Sequence, residues 1–147
     1  MLEKIIKEKI SADHLLYVSM KYTKTCDVMI NLVKRWAVMI EDSIDGLLIT
    51  AKKKKMLKII PTAPKLRVDL VKEVFRKEPA VLDAIELYSM FKLVDILKQT
   101  KEQEFRKGVC LSLFYKGQEI RINLEKLKEY SEILERFINF VKRFLSS

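Results

Sequence analysis

The stretch from Ala12 to about Lys55 constrains the fold most, because it contains no proline and only one glycine, Gly46. Its apolar residues recur every three or four positions, which is the pattern of an amphipathic helix. A helix of about 40 residues would be about 60 Å long. We therefore expect one long helix with a projecting end, or two helices joined near 41–46 with a bend at Gly46. The residues of the apolar face are Leu15, Val18, Tyr22, Met29, Leu32, Trp36, Met39 and Ile40.

Capping residues and prolines divide the rest of the chain into shorter helices. Ser11 is placed to be the N-cap of the long helix, after a first helical segment over residues 2–10. Thr62 is placed to cap a helix over 63–77, and Pro79 predicts the start of another helix that extends to about residue 100. The N-terminal two thirds of the chain are thus predicted to be helical.

The spacing of apolar residues changes from a helical period to alternation before the last helix, which predicts one β-hairpin with strands at about 109–115 and 118–122. Apolar and other residues alternate there, and Lys116-Gly117 provides a two-residue turn. This turn fixes the register and puts the aliphatic side chains on one face of the hairpin. The predicted pairs are Tyr115 with Gln118, Leu113 with Ile120, and Leu111 with Ile122.

The last helix, over 124–145 with Asn123 as its N-cap, carries an apolar seam at alternating spacings of three and four, which is a heptad pattern. The seam can pack against the long helix or mediate an interaction with a partner or a second copy. The fold class predicted is mainly α, a helical bundle with long antiparallel helices and one β-hairpin. We expect a single domain over 1–147, with a break around 56–64 left open. The seam consists of Leu127, Tyr130, Leu134, Phe137, Val141 and Phe144.

Nearly all of the net charge of +9 lies in one short segment. Residues 52–77 contain ten Lys or Arg against Asp69 and Glu73, a balance of +8, whereas residues 1–51 balance to zero and residues 78–147 to +1. Like charges held together repel one another, and an anionic partner would relieve that repulsion. A lysine run at a helix C-terminus can also be a solvated helix end. The ten cations are Lys52, Lys53, Lys54, Lys55, Lys58, Lys65, Arg67, Lys72, Arg76 and Lys77.

The sequence offers little for catalysis, and we predict no catalytic residue, cofactor or metal ligand. The single histidine, His14, and the two cysteines, Cys26 and Cys110, do not have the spacing of a zinc site. The three glycines cannot form a phosphate-binding loop. Hydrolysis by carboxylates alone stays open, because Asp and Glu are frequent on the charged helices.

The chain resembles the HEPN-type helical bundles of prokaryotes in its order of helices, one of which opens with Ala12-Asp13-His14-Leu15-Leu16-Tyr17. It also looks like uncharacterised archaeal helical proteins with a Leu-Lys-Glu-Tyr motif in the last helix, here 127–130. The RNase members of the HEPN group carry an Arg followed by a His, whereas here His14 precedes the first arginine, Arg35. The resemblance therefore implies the non-catalytic branch, which associates with nucleotides or binds partners.

These observations lead first to a non-enzymatic helical module that binds a polyanion, nucleic acid above all, through the cations of 52–77. The alternative is a protein-interaction or homodimerisation subunit that uses the seam or the Trp36 region, and a winged-helix DNA-binding regulator is a minor alternative. The longest uncharged run, 108–115, is too short to span a membrane. We therefore predict a cytoplasmic protein without a membrane partner. Lysine outnumbers arginine 22 to 7, a bias that suits a thermophile or an organism with an AT-rich genome.

Overall fold

The N-terminal helix extends further than the sequence predicts. In the computed structural model, which describes residues 1–147, α1 (Leu2–His14) passes directly into a π-helical turn (Leu15–Ser19) and a short α2 (Met20–Tyr22). The predicted N-cap at Ser11 is wrong, because this residue lies inside α1. The buried residues Ile5, Ala12 and Leu16 continue one apolar stripe past Ser11. Burial of this stripe against the next helix outweighs the local preference of serine for a helix end.

The long helix is interrupted at 23–25 rather than near Gly46. Thr25 is extended, and its side-chain oxygen accepts a hydrogen bond from the backbone N–H of Val28 at 3.3 Å. This cap starts α3 (Cys26–Lys53), which runs through Gly46 without a break. A Cβ atom at Gly46 would lie 3.0 Å from the Leu145 side chain of the last helix. Gly46 therefore permits a close helix contact, and the bend predicted there is wrong.

The two proline-initiated helices begin near their predicted positions but end early. α4 (Pro64–Val74) follows Ala63 in the N-cap position, so Thr62 is not the cap. α5 (Pro79–Phe91) ends well before residue 100. The chain then turns, and the Gln99 side-chain amide donates to Val94 O at 2.8 Å and closes this turn. Val94 is buried within the turn, so its apolar character does not require a longer helix.

The sheet contains the predicted hairpin and one additional strand. β1 (Gln99–Glu102), β2 (Cys110–Tyr115) and β3 (Gln118–Asn123) form an antiparallel sheet in the order β1-β2-β3. In the hairpin, Leu113 pairs with Ile120 and Leu111 with Ile122, as the alternation predicts. The sequence of β1, Gln-Thr-Lys-Glu, is polar throughout and lacks this signal.

α6 (Leu124–Ser146) closes the fold and carries its seam into the core. The Asn123 side chain accepts a hydrogen bond from Lys126 N–H at 2.8 Å, which confirms the predicted N-cap. Trp36 of α3 stacks on Phe91 of α5 at 5.8 Å between ring centroids, and Tyr130 of α6 lies edge-on to Phe91 at 5.3 Å. The fold is thus mainly helical, with a small sheet before the last helix. The seam residues Leu127, Tyr130, Leu134, Phe137 and Val141 are buried within the chain, and Phe144 is half-buried.

Candidate polyanion-binding surface

The first group of cations lies where α3 ends. Lys52 and Lys53 form its last turn, where positive charge interacts favourably with the helix dipole. The backbone of Lys55 has a left-handed conformation, with φ 62°. Its N–H bonds to Lys52 O at 3.0 Å, and the N–H of Met56 bonds to Ala51 O at 2.9 Å. These bonds form a Schellman motif with lysine where glycine is usual. The turn leaves all four ammonium groups of 52–55 exposed.

The second group of cations lies on α4 and in the segments on either side of it. The inner face of this region is fixed by Val71, which is fully buried, and by Phe75, which is 3% exposed. The polar side chains therefore face outward. The exposed cations of this group are Lys58, Lys65, Lys72, Arg76 and Lys77.

Arg67 differs from the other nine cations because its guanidinium group is used inside the protein. It forms an ion pair with Asp45 of α3 and donates to Pro61 O at 3.1 Å. Only 23% of its side chain is exposed. Arg67 thus fastens α4 to α3 and is poorly placed to contact a partner.

The two groups of cations meet at the C-terminal end of α6. The Phe144 ring lies 5.1 Å from the Phe75 ring, and the Lys54 ammonium group lies 5.2 Å from the centre of the same Phe144 ring. Lys54 also donates to the Ser147 hydroxyl at 2.6 Å. The last turn of α6 also carries a cation, Arg143.

The cations of the surface are not neutralised by the protein's own carboxylates. Nine ion pairs within 4.0 Å connect charged side chains of the protein, and Arg67 is the only one of the ten predicted cations that takes part in any of them. Asp69 and Glu73, the acidic residues of the segment, form no ion pair. We call the nine unpaired cations of 52–77 the basic surface. It is a region of uncompensated positive charge open to solvent.

A cavity of about 830 Å³ between α4, α5, the turn of the hairpin and α6 has a mixed character. Lys72 of the basic surface lines it together with Asp83, Glu86, Lys116 and Arg136. Because both signs of charge face this cavity, it is less suited to a polyanion than the basic surface is.

The thiols lie in the interior. Cys26 and Cys110 are both buried, and the Cys26 sulfur lies 3.4 Å from the backbone oxygen of Cys110. Burial, reinforced by the neighbouring Glu104 carboxylate, raises the pKa of Cys26 to about 12. This thiol is therefore protonated at neutral pH and is a weak nucleophile. No group of three His, Cys, Asp or Glu side chains is arranged to hold a metal ion.

Compared with protein families, curated proteins and solved structures, the chain matches none of them. The resemblance to HEPN-type bundles accordingly stays a prediction. No helix of the structure combines the length and the apolar character needed to cross a bilayer.

Proposed function

We propose that the protein is a non-enzymatic helical module that binds a polyanion, nucleic acid in the first place, through the basic surface. One observation carries the proposal: nine cations in a segment of 26 residues are exposed and have no carboxylate within 4.0 Å. Cations of this kind bind phosphates by releasing condensed counterions. Such binding tolerates many sequences and weakens steeply as salt is raised.

The proposal is tested by titrating labelled RNA and DNA with the protein at two salt concentrations and following fluorescence anisotropy. The test variant replaces the four lysines of 52–55 by alanine. The slope of log K against log salt is negative, and each lost phosphate contact makes it shallower by about 0.7 to 0.9. If all four lysines contact phosphates, the magnitude of the slope should decrease by about 3, and the affinity at low salt should decrease as well.

A matched control removes the same amount of charge from other places on the protein. Four lysines outside the segment are held in ion pairs, and their replacement by alanine should change binding much less. The proposal is wrong if the 52–55 variant binds as the wild type does, or if both variants lose affinity equally. The control lysines are Lys4, Lys9, Lys34 and Lys126.

A further inference from the structure

The end of the molecule at the start of α3 carries two exposed aromatic rings. Tyr22 is 78% exposed and Phe105 is 75% exposed, more than any other aromatic residue of the chain. They are distant in sequence, but the N–H of Phe105 donates to Lys24 O at 2.6 Å and joins the loop 103–108 to the segment that follows α2. The fold thus joins the loop that carries Phe105 to the segment directly after Tyr22, the last residue of α2.

The loop exposes the Phe105 ring, and its backbone adopts a left-handed conformation that residues other than glycine disfavour. Phe105 has φ 67° and Gln103 has φ 50°, and a non-glycine residue in this region costs about 1–2 kcal/mol. Hydrogen bonds within the loop sustain the conformation, from Arg106 N to Gln103 O at 3.2 Å and from Val109 N to Arg106 O at 3.0 Å. The exposed phenyl ring buries little surface in return. A rigid, strained loop that displays an aromatic ring is typical of a binding site.

Positive charges outnumber negative ones around the two rings. Four cations lie in α2, in the segment after it or in the loop 103–108, and none of them has a carboxylate within 4.0 Å. The Lys24 ammonium group donates to Lys21 O at 2.6 Å. Of the acidic side chains of this region, Asp27 pairs with Lys101 at 2.9 Å, whereas Glu104 accepts a hydrogen bond from the neutral Cys26 N–H at 3.1 Å and keeps its charge. The Lys21 ammonium group lies 5.9 Å from the centre of the Tyr22 ring. The four cations are Lys21, Lys24, Arg106 and Lys107.

We propose that this aromatic-basic surface, formed by Tyr22, Phe105 and the four cations, binds single-stranded nucleic acid. The rings would stack on unpaired bases, and the cations would contact the flanking phosphates. A duplex offers no such contact because its bases are already stacked on one another. The basic surface is poorly equipped for stacking, since Phe75, the only aromatic residue of the segment 52–77, is 3% exposed, and the half-buried Phe144 ring beside it already contacts Phe75 and the Lys54 ammonium group. The inference rests on the proposed function and names the class of nucleic acid.

The two surfaces lie at opposite ends of α3, whose 28 residues make it about 42 Å long. The basic surface begins at the last turn of this helix, and the aromatic-basic surface adjoins its first turn. A single strand that reaches both would gain general phosphate binding at one end and base stacking at the other. Their contributions can therefore be separated by mutation.

The test measures the affinity of a labelled oligouridine of about 16 nucleotides, a length within the range of single-strand sites, and of an RNA duplex of the same length. The double variant Tyr22→Ala with Phe105→Ala should bind the single strand at least about 30-fold more weakly, because two stacked bases at about 1–3 kcal/mol each contribute at least about 2 kcal/mol together. Its affinity for the duplex should not change. The matched control is Phe114→Ala, an exposed ring on β2 with the Lys98 ammonium group at 5.7 Å from its centre, and it should bind as the wild type does.

A second variant keeps the proposal falsifiable should the double variant fold poorly. Phe105→Trp places a larger aromatic ring at the same position, so it should retain affinity, and its additional surface emission should be quenched by bound oligouridine. An unchanged emission under saturating binding would overturn the proposal.

The outcomes separate this inference from the proposed function. If the alanine variant of 52–55 loses binding and the double aromatic variant does not, the aromatic-basic surface is not the single-strand site and the basic surface stands. If only the aromatic variant loses binding, the inference holds and the role of the basic surface fails. If the wild type binds neither probe, both fail. If light scattering shows a wild-type oligomer that the aromatic variant abolishes, with unchanged single-strand affinity, the rings mediate self-association and the inference is wrong.

Discussion

Glu8 of α1 and Asp42 of α3 form a carboxyl pair at the interface between these two helices. Burial raises the pKa of Glu8 to about 7, helped by a hydrogen bond with Asp42 and by the negative charge of Asp42. The positive charges of Lys4 and Arg35 oppose this rise. Lys4 lies 3.4 Å from the Asp42 carboxylate. The pair therefore holds one proton at a pH where an isolated glutamate has lost it.

The sign of the effect on stability follows from proton linkage. Because the pKa of Glu8 is about 4.5 when unperturbed and about 7 in the fold, the folded state binds the proton more tightly, and stability falls as pH rises through this interval. The full change would correspond to about 3 kcal/mol. Solvent reaches this partly exposed pair and reduces the expected contribution to about 1–2 kcal/mol.

The substitution Glu8→Gln keeps the shape of the protonated side chain and removes the titration. We expect this variant to be about 1–2 kcal/mol more stable than the wild type near pH 8 and nearly equal to it near pH 4.5. Urea unfolding followed by circular dichroism at a series of pH values measures the difference. Glu3→Gln on the exposed side of the same helix is the matched control and should show no such trend. A variant that is no more stable than the wild type near pH 8 would refute the reasoning.

Two further substitutions test the helix ends. Lys55→Gly relieves the left-handed backbone of the Schellman turn at φ 62°, so it should raise the free energy of unfolding by about 0.5–1 kcal/mol. Urea unfolding measures this gain, and a loss of stability would show that the Lys55 side chain supports the turn. Asn123→Ala removes the cap of α6 and should cost about 1 kcal/mol. The exposed Asn139→Ala on the same helix is its control, and equal losses in the two variants would contradict a capping role.

Local sequence signals predicted the hairpin and the start of α6, because their causes are local. Alternation and a two-residue turn with Lys116 at φ 51° and Gly117 at φ 75° determine the pairing of β2 with β3. A polar side chain before an apolar run determines the cap at Asn123. The third strand, β1, is set by pairing with β2 rather than by its own residues, and no pattern within Gln-Thr-Lys-Glu predicts that partner.

The position of the break in the long helix, by contrast, is determined by contacts with distant parts of the chain. Gly46 is the only glycine of the stretch and suggests a bend, yet its missing side chain is required by the approach of Leu145, almost 100 residues later. The helix breaks at Thr23–Thr25, a short polar segment. The N-cap at Thr25 and the hydrogen bond from Phe105 N to Lys24 O stabilise the break. Tertiary contacts decide both points, and a single sequence does not display them.

The candidate sites also combine features that are visible in the sequence with features that depend on tertiary contacts. Charge counting located the segment 52–77, because its excess of lysine and arginine is visible in the chain itself. Counting could not separate Arg67, whose partner Asp45 lies on α3, from the exposed cations. It could not relate Tyr22 to Phe105 either, since the link between their segments is a hydrogen bond from Phe105 N to Lys24 O that forms only in the fold.

The arrangement of charge argues that the basic surface is maintained for something other than stability. The core is complete without it: the seam of α6 is buried, Val71 and Phe75 anchor the region of α4, and Arg67 supplies the ion pair that fastens α4 to α3. The nine remaining cations have no carboxylate within 4.0 Å. The dipole of α3 favours Lys52 and Lys53, and Lys54 contacts Phe144, but a balance of +8 over 26 residues still carries a repulsive contribution. Phosphates of a nucleic acid would remove that repulsion, so these cations would gain most from the proposed partner.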